Sequence, residues 1–185
     1  AMAAADQAGL RCLGGEVVFA FPSAAFPGPE AALEETRALA QKYAGHPRLS
    51  IAVNPHSVYT TTPEILAACR DLARELALPL HMHLAETAEE TQICLHAHGK
   101  RPVACCRSLE LLDGPCTLAH VVDVTPDELD FLAQRGAVAA HNISSNMKLA
   151  SGASPVPAML ERGMPVALGT DGAASNNRLN MFTEM

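Results

Sequence analysis

The chain has 185 residues, of which 49% are apolar and 18% are charged, so its length and composition suit one domain with a substantial core. The formal net charge of -7, without a basic cluster, argues against nucleic acid or an anionic membrane as a partner. No apolar run is long enough to cross a bilayer, and the first residues lack the pattern of a signal peptide. We therefore expect a soluble, cytoplasmic protein that acts on a small molecule, with homo-oligomer formation left open.

Six cysteines occur without a C-x-x-C pair, and most of them lie inside apolar segments. A domain of this size does not need disulfides for its stability. The sequence therefore predicts buried, reduced thiols at Cys12, Cys69, Cys94, Cys105, Cys106 and Cys116.

Short apolar runs alternate with segments of helical period along the chain. The predicted strands are 15–21, 49–54, 78–84, 116–119, 137–140 and 165–169. The predicted helices are 29–44, 63–76, 89–97, 102–112, one that begins at Thr125, and 155–162. Thr61 or Thr62 before Pro63 is a typical helix N-cap, as is Thr125 before Pro126. Strands that recur about every 30 residues, each followed by a helix, indicate βαβ units and a parallel sheet.

Two parallel architectures fit this pattern, an open doubly wound sheet and a closed (β/α)8 barrel. The glycine-rich phosphate turn of a dinucleotide-binding sheet is missing. Polar residues follow nearly every predicted strand, and a barrel collects such residues at one face. They are Asn54, His56, His83, Glu86, His120, His141, Asn142 and Asp171. The sequence thus favours an α/β fold of the TIM-like (β/α)8-barrel type.

A complete barrel has eight strands, and the sequence predicts six. Residues 1–9 resemble the last turns of a helix closed by a glycine, and residues 178–185 resemble the start of another helix. We therefore expect residues 1–185 to be a fragment of a single barrel domain, roughly its strands three to eight.

Segment 81–87 (HMHLAET) has the highest density of chemically active side chains. On a strand, His81 and His83 point to the same face, and His83 lies nearer the strand end. A neutral imidazole there is a natural ligand for zinc or iron. Glu86, just beyond the strand, is placed to donate a proton. The alternative for a single strand histidine is a hydrogen-bonded core residue.

Three other polar residues are candidates for the same site. Asp171 lies in segment 169–172 (GTDG) and suits the role of a metal ligand that also accepts a proton from water. The alternative role for this residue is to cap a turn or a helix. His120 ends the predicted strand that lies between segments 81–87 and 169–172. The alternative role for His120 is that of a core histidine bonded to a backbone carbonyl. His56 follows Pro55 in a loop, where a polar pocket contact is favoured over a metal bond.

The order of these groups along the chain is more specific than any one of them. Segments 81–87 (HMHLAET), 118–121 (LAHV), 141–149 (HNISSNMKL) and 167–177 (ALGTDGAASNN) resemble the amidohydrolase superfamily. Within it they are most similar to the 5'-methylthioadenosine/S-adenosylhomocysteine deaminase branch, which is related to triazine chlorohydrolases and guanine deaminases. Segment 55–57 (PHS), followed by Tyr59 and Thr60, is similar to the same branch.

The resemblance implies a role for each candidate in a hydrolytic deamination. His83 and Asp171 would bind one divalent metal ion, zinc or alternatively iron. Glu86 would protonate a ring nitrogen of the substrate, and Asp171 would accept a proton from the attacking water. His120 would hydrogen-bond the attacking hydroxide and the developing tetrahedral centre. His56 would contact the substrate near its ribose or its ring.

The sequence departs from the family in one respect. The family's other two metal ligands form a His-x-His pair on the first strand, and this sequence has no such strand. The resemblance implies that this strand and a small β-domain lie outside residues 1–185, so two ligands alone would hold metal weakly. Residues 142–149 would form a pocket wall, with no single contact assigned.

Two alternatives to the deaminase function stay open at this point. The same site would also suit displacement of chloride or an amine from another N-heterocycle, such as a triazine or guanine. A protein of a different class, a metal-free βα protein that binds a small ligand, would carry polar strand ends without catalysis.

Overall fold

The computed structural model describes residues 2–185, and Ala1, the first residue of the predicted helix end 1–9, lies outside the described residues. The strands are β1 (Cys12–Gly14), β2 (Val17–Val18), β3 (Leu49–Ile51), β4 (Asn54–Pro55), β5 (Leu80–Leu84), β6 (Cys116–His120), β7 (Val138–His141) and β8 (Val166–Leu168). The helices are α1 (Met2–Gln7), α2 (Pro29–Lys42), α3 (Pro63–Leu76), α4 (Ala88–His98), α5 (Pro102–Ser108), α6 (Pro126–Gln134), α7 (Ile143–Lys148), α8 (Val156–Glu161) and α9 (Met181–Glu184). Among the described residues, no helix combines the length and the apolar character needed to span a membrane.

All strand pairs are parallel, and neighbouring strands follow one another along the chain. β1 pairs with β3 and β2 with β4, so β1/β2 and β3/β4 are each one interrupted strand. A bridge between Val53 and Leu80 joins the second of them to β5, and β5, β6, β7 and β8 pair in chain order. A doubly wound sheet reverses its strand order at a switch point, whereas this order runs in one direction. The structure therefore confirms a partial (β/α)8 barrel.

The first predicted strand, 15–21, is wrong in its bounds. Pairing begins earlier, in β1, and ends with β2. Between them the backbone of Gly15 lies so close to Ala52 that a Cβ atom would be 2.2 Å from the Ala52 carbonyl oxygen. Only glycine fits such an approach, and it interrupts the strand. Beyond β2 the chain leaves the sheet, and the Ala20 N–H donates to the Thr60 carbonyl at 2.9 Å.

Two of the predicted helix starts are confirmed with their caps. α3 begins at Pro63, and the Thr62 hydroxyl accepts a hydrogen bond from the Ile65 N–H at 3.3 Å. α6 begins with a capping box, in which Thr125 and Glu128 each bond the backbone N–H of the other. These reciprocal bonds satisfy N–H groups that the first helical turn leaves without partners.

One short helix lies where the sequence predicts it, and another is missed. The short helix predicted between residues 102 and 112 is α5, which ends at Ser108, and Glu110 beyond it has a left-handed backbone with φ of 53°. The sequence predicts no helix over α7, because its six residues show no apolar period that would reveal one.

Alternate residues of β5 face opposite sides of the sheet. Leu80, Met82 and Leu84 are buried in the main apolar core, together with residues of the surrounding helices. His81 and His83 share the other face and are half-buried, as the strand period predicts. The chain thus separates an apolar outer layer from a polar inner face.

All six cysteines are free, and five of them are buried among apolar side chains. Cys12 is half-buried, which corrects the prediction of burial for this residue, because it lies on β1, the first strand of the sheet. Burial raises the pKa of the Cys69 thiol to about 12, so this group stays protonated and unreactive at neutral pH.

We expect Leu132→Ala in α6 to lower the free energy of unfolding by about 2–5 kcal/mol, because it opens a cavity in the core. Leu132 is fully buried, whereas Leu160 in α8 is 59% exposed. Leu160→Ala is the matched control and should change stability by less than about 0.5 kcal/mol. Urea unfolding of both variants measures the difference, and equal losses would contradict this position of the core.

Candidate active site

Three of the predicted site residues meet at the carboxyl end of the sheet. His83 lies on β5, His120 ends β6, and Asp171 follows β8. Each offers one ligand atom, and these atoms all lie within 4.8 Å of one another. Because parallel strands end at the same rim, residues that are 88 positions apart in the sequence become neighbours.

The His83 imidazole is held by a backbone carbonyl. Its Nδ1 atom donates to the carbonyl oxygen of His56 at 2.9 Å, which places the proton on Nδ1. Its Nε2 atom therefore keeps a lone pair for a metal or a proton. Metal-binding histidines in proteins commonly donate their second N–H to such a carbonyl.

The His120 imidazole is held in the same way by a side chain. Its ring is 1% exposed, and Nδ1 donates to Asn146 Oδ1 at 2.8 Å. Its Nε2 atom is buried and has no hydrogen-bond partner among residues 2–185. A buried polar atom without a partner is costly unless a ligand satisfies it. His120 Nε2 is thus a second lone pair at the site.

Asp171 presents one carboxylate oxygen to the site. Ser145 Oγ and Ser175 Oγ both donate to Oδ2, each at 2.6 Å. Burial raises the pKa of Asp171, but the bonds from Ser145 and Ser175 outweigh it, so the pKa lies below its usual value. With Oδ2 bonded twice, Oδ1 is the oxygen left for a metal ion or a water.

Glu86 lies beside these three residues. Its Oε2 atom is 3.8 Å from His120 Nε2, and its Oε1 atom accepts from Ser151 Oγ at 3.2 Å. The backbone N–H groups of Ala85 and Glu86 both donate to the buried carboxylate of Glu90, at 3.2 and 2.7 Å. Glu90 thereby fixes the turn that carries Glu86.

His56 forms one end of the site and is neutral. Its ring lies 4.5 Å from the Phe19 ring and 4.6 Å from the His83 ring, between centroids. Its Nδ1 atom bonds Thr60 Oγ1 at 2.9 Å. Burial, followed by the nearby His83, lowers the pKa of His56 to about 4. It therefore suits the predicted role of a polar contact with an uncharged group.

The donor set fits a catalytic zinc ion. Two neutral imidazole nitrogens and one carboxylate oxygen are ligands that zinc prefers, and catalytic zinc sites commonly have three protein ligands and one open position. The buried Nε2 atom of His120 has no other partner among the described residues, which supports the fit. The geometry thus brings His120 close enough to be a ligand, in addition to the predicted His83 and Asp171.

The sequence prediction assigns no individual role to four residues of the site. Ser145, Asn146, Ser175 and Glu90 each hold another site residue by a hydrogen bond. Ser145 and Asn146 lie in segment 142–149, which the resemblance assigns to a pocket wall. The sequence signal for them is weak, because adjacent polar residues are ordinarily exposed.

Comparison with known proteins shows what the chain resembles. A family model described as the amidohydrolase family matches residues 1–185. A 5-methylthioadenosine/S-adenosylhomocysteine deaminase of Nitratidesulfovibrio vulgaris (strain DP4) is 60% identical over 182 residues, which are 98% of this chain and 41% of that protein. The chain therefore spans about two fifths of the length of the curated relatives it matches.

Solved structures share the fold over almost the whole chain. An adenosine deaminase from Xanthomonas campestris with bound zinc has a TM-score of 0.94 and 35% sequence identity to this chain. The alignment covers 99% of this chain and 42% of the deaminase chain. An atrazine chlorohydrolase from Arthrobacter aurescens complexed with zinc has a TM-score of 0.87 and 25% identity, over 97% of this chain and 42% of its own.

We expect Glu90 to make stability depend on pH. Burial raises the pKa of Glu90 from its usual 4.5 to about 7, although the N–H groups of Glu86 and Ala85 oppose this rise. The folded state therefore holds a proton that the unfolded chain releases. This contribution is complete below about pH 4.5 and is lost as the pH rises through about 7, a change of about 3 kcal/mol.

Urea unfolding between pH 4 and pH 8 measures this dependence. Glu90→Gln should remove this part of the pH slope, whatever it does to the absolute stability. Glu89→Gln is the matched control, because Glu89 is the exposed neighbour in α4. A slope that is the same in both variants would show that Glu90 is ionised throughout.

Proposed function

The chain belongs to the amidohydrolase family, and on this basis we propose that it catalyses the metal-dependent hydrolytic deamination of an adenine nucleoside. The proposed substrates are 5'-methylthioadenosine and S-adenosylhomocysteine, and the product is ammonia. One observation carries the proposal, namely that His83, His120 and Asp171 converge within 4.8 Å beside the Glu86 carboxylate. The printed name of the 60% identical relative supports the choice of substrate.

One divalent metal ion, zinc or alternatively iron, is part of this proposal. His83 Nε2 and Asp171 Oδ1 would hold it, and His120 Nε2 lies within reach of the same point. When bound, such an ion lowers the pKa of a water molecule to about 7 and so provides hydroxide at neutral pH.

The side chains of the site would move the protons of the reaction. Asp171 takes one proton as the water oxygen bonds the amine-bearing ring carbon, and Glu86 protonates the adjacent ring nitrogen. The carbon–nitrogen bond then breaks, and the proton from Asp171 leaves with the amine as ammonia. The remaining hydroxyl proton returns to Glu86 as the carbonyl forms. Each transfer is worth on the order of 10²- to 10⁴-fold in rate.

His120 and His56 would orient the reactants. His120 Nε2 carries a lone pair, so it accepts a hydrogen bond from the attacking water and aligns it. The neutral His56 ring, next to Phe19, would contact the substrate near its ribose or its heterocycle.

A second candidate is hydrolysis with another leaving group. The likeness to an atrazine chlorohydrolase, at 25% identity, favours it, because attack on an aromatic ring carbon needs the same groups. In this case Glu86 would again protonate a ring nitrogen, and chloride would leave in place of ammonia.

The proposal extends to the protein as a whole. We propose that residues 1–185 belong to a single (β/α)8-barrel domain and that the protein acts in the cytoplasm. We also propose that it binds a small molecule, with neither nucleic acid nor membrane as a partner, and the net charge of -7 supports this.

We expect the intact protein to release ammonia from one of four substrates: 5'-methylthioadenosine, S-adenosylhomocysteine, adenosine or guanine. Asp171→Asn should lower this rate at least about 100-fold, because the variant loses both a ligand and a proton acceptor. Asp127→Asn, at an exposed position in α6, is the matched control and should retain the rate. A chelator should abolish the activity, and added zinc should restore it.

The outcomes separate the candidate functions. Ammonia release that resists the chelator and Asp171→Asn would contradict the proposed site. Silence on all four substrates, together with chloride release from a chlorinated triazine, would favour the second candidate. Binding of a nucleoside without turnover or metal would favour a ligand-binding protein.

A further inference from the structure

Two adjacent side chains of α7 contact two different residues of the site. Ser145 is fully buried, and its hydroxyl donates to Asp171 Oδ2 at 2.6 Å. Asn146 is 1% exposed, and its Oδ1 atom accepts from His120 Nδ1 at 2.8 Å. The two residues before this pair are half-buried and the two after it are exposed, so full burial within α7 is confined to Ser145 and Asn146.

Neither side chain is needed to form the helix. Asn142 is the N-cap residue of α7, and its side chain makes no capping bond. The hydroxyl of Ser145 and the amide oxygen of Asn146 both leave the helix and reach other elements, the loop after β8 and the end of β6. Burying two polar groups in one turn is unfavourable unless their partners compensate for it.

The contacts determine which atoms stay free. Asp171 Oδ2 is bonded by Ser145 and by Ser175, so Oδ1 remains. His120 donates its Nδ1 proton to Asn146, so the lone pair of Nε2 remains. The two free atoms belong to the two groups that meet His83 within 4.8 Å.

We propose that Ser145 and Asn146 are positioning residues, of which Ser145 orients Asp171 toward the metal ion and Asn146 orients His120 toward the attacking water. Ser145 acts with Ser175 to turn Oδ1 inward, and Asn146 selects the tautomer of His120. The atoms through which they act, Ser145 Oγ and Asn146 Oδ1, are bonded to Asp171 and to His120. This inference rests on the proposed metal-dependent hydrolysis, and it assigns to segment 142–149 a role other than that of a pocket wall.

The test measures zinc affinity in the intact protein by competition with a chromogenic chelator. Ser145→Ala should weaken zinc binding about 10- to 100-fold, as loss of a residue that orients a metal ligand commonly does. Asn146→Leu should keep zinc affinity and lower kcat about 10- to 100-fold, because His120 aligns the attacking water. Ser144→Ala is the matched control in the same helix. Its backbone N–H bond to Glu184 does not depend on its side chain, so its zinc affinity should stay within about 2-fold.

Two further variants separate positioning from a loss of folding. Ser175→Ala removes the second bond to Asp171 from outside α7 and should weaken zinc in the same range. Asn146→Asp keeps an acceptor oxygen for His120 and should recover most of the kcat that Asn146→Leu loses. In the cobalt-substituted protein, the visible spectrum should change for Ser145→Ala and stay unchanged for Ser144→Ala. In the zinc-loaded Asn146→Leu variant, kcat should fall with little change in KM.

Three outcomes would overturn the inference. A zinc affinity of Ser145→Ala and a kcat of Asn146→Leu that both equal those of Ser144→Ala would overturn it and leave the proposed function intact. Losses matched by equal losses of thermal stability, without recovery in Asn146→Asp, would show a structural role only. If the unaltered protein binds neither zinc nor iron, the proposed function fails, and the inference fails with it.

Discussion

The common direction of the six strands is the constraint on which the candidate site depends. Parallel strands in chain order place every carboxyl end at one rim, and each βα turn delivers one side chain there. His83, His120 and Asp171 share no sequence neighbourhood, yet the sheet brings their ligand atoms within 4.8 Å. The apolar layer on the outer face of β5 holds this geometry, because Leu80, Met82 and Leu84 pack into the core while the histidines face inward.

Hydrogen bonds then determine what the converging groups offer. His83 and His120 both carry their proton on Nδ1, for different acceptors, and both therefore present Nε2 as a lone pair. Asp171 accepts two hydroxyl bonds at Oδ2, which leaves Oδ1 without a side-chain donor among the described residues. A buried site with fixed donors and acceptors does not have to reorganise when charge develops, which is the main source of electrostatic catalysis. The supporting side chains thus determine which atoms the candidate site offers to a ligand.

The sequence predicts the residues at strand ends better than the residues that support them. Strand period and helix caps identify β5, α3 and the position of Asp171, because burial and capping leave local patterns. The break at Gly15 depends on a contact with Ala52, which is distant in the sequence. Glu90 occupies the first turn of α4, where an acidic residue ordinarily favours the helix dipole in water, so nothing local indicates that it is buried. Supporting residues are defined by tertiary contacts, and local patterns do not contain them.

The same supporting residues explain how the carboxyl ends of the strands tolerate unfavourable backbone conformations. Ala85, His120 and Asp171 lie at or just beyond the carboxyl end of a strand and have left-handed φ values of 52°, 73° and 60°. Such conformations cost about 1–3 kcal/mol each in non-glycine residues and persist only where the surroundings impose them. Each of the three has its own restraint here. Glu90 binds the Ala85 N–H, Asn146 binds the His120 ring, and two serines bind Asp171. The chain turns sharply at these points, at or next to the residues of the candidate site, and the buried hydrogen bonds offset the strain of the turns. Removal of one of these hydrogen bonds therefore changes the orientation of a site residue more than it changes the fold, because most of the apolar core lies on the other side of the sheet.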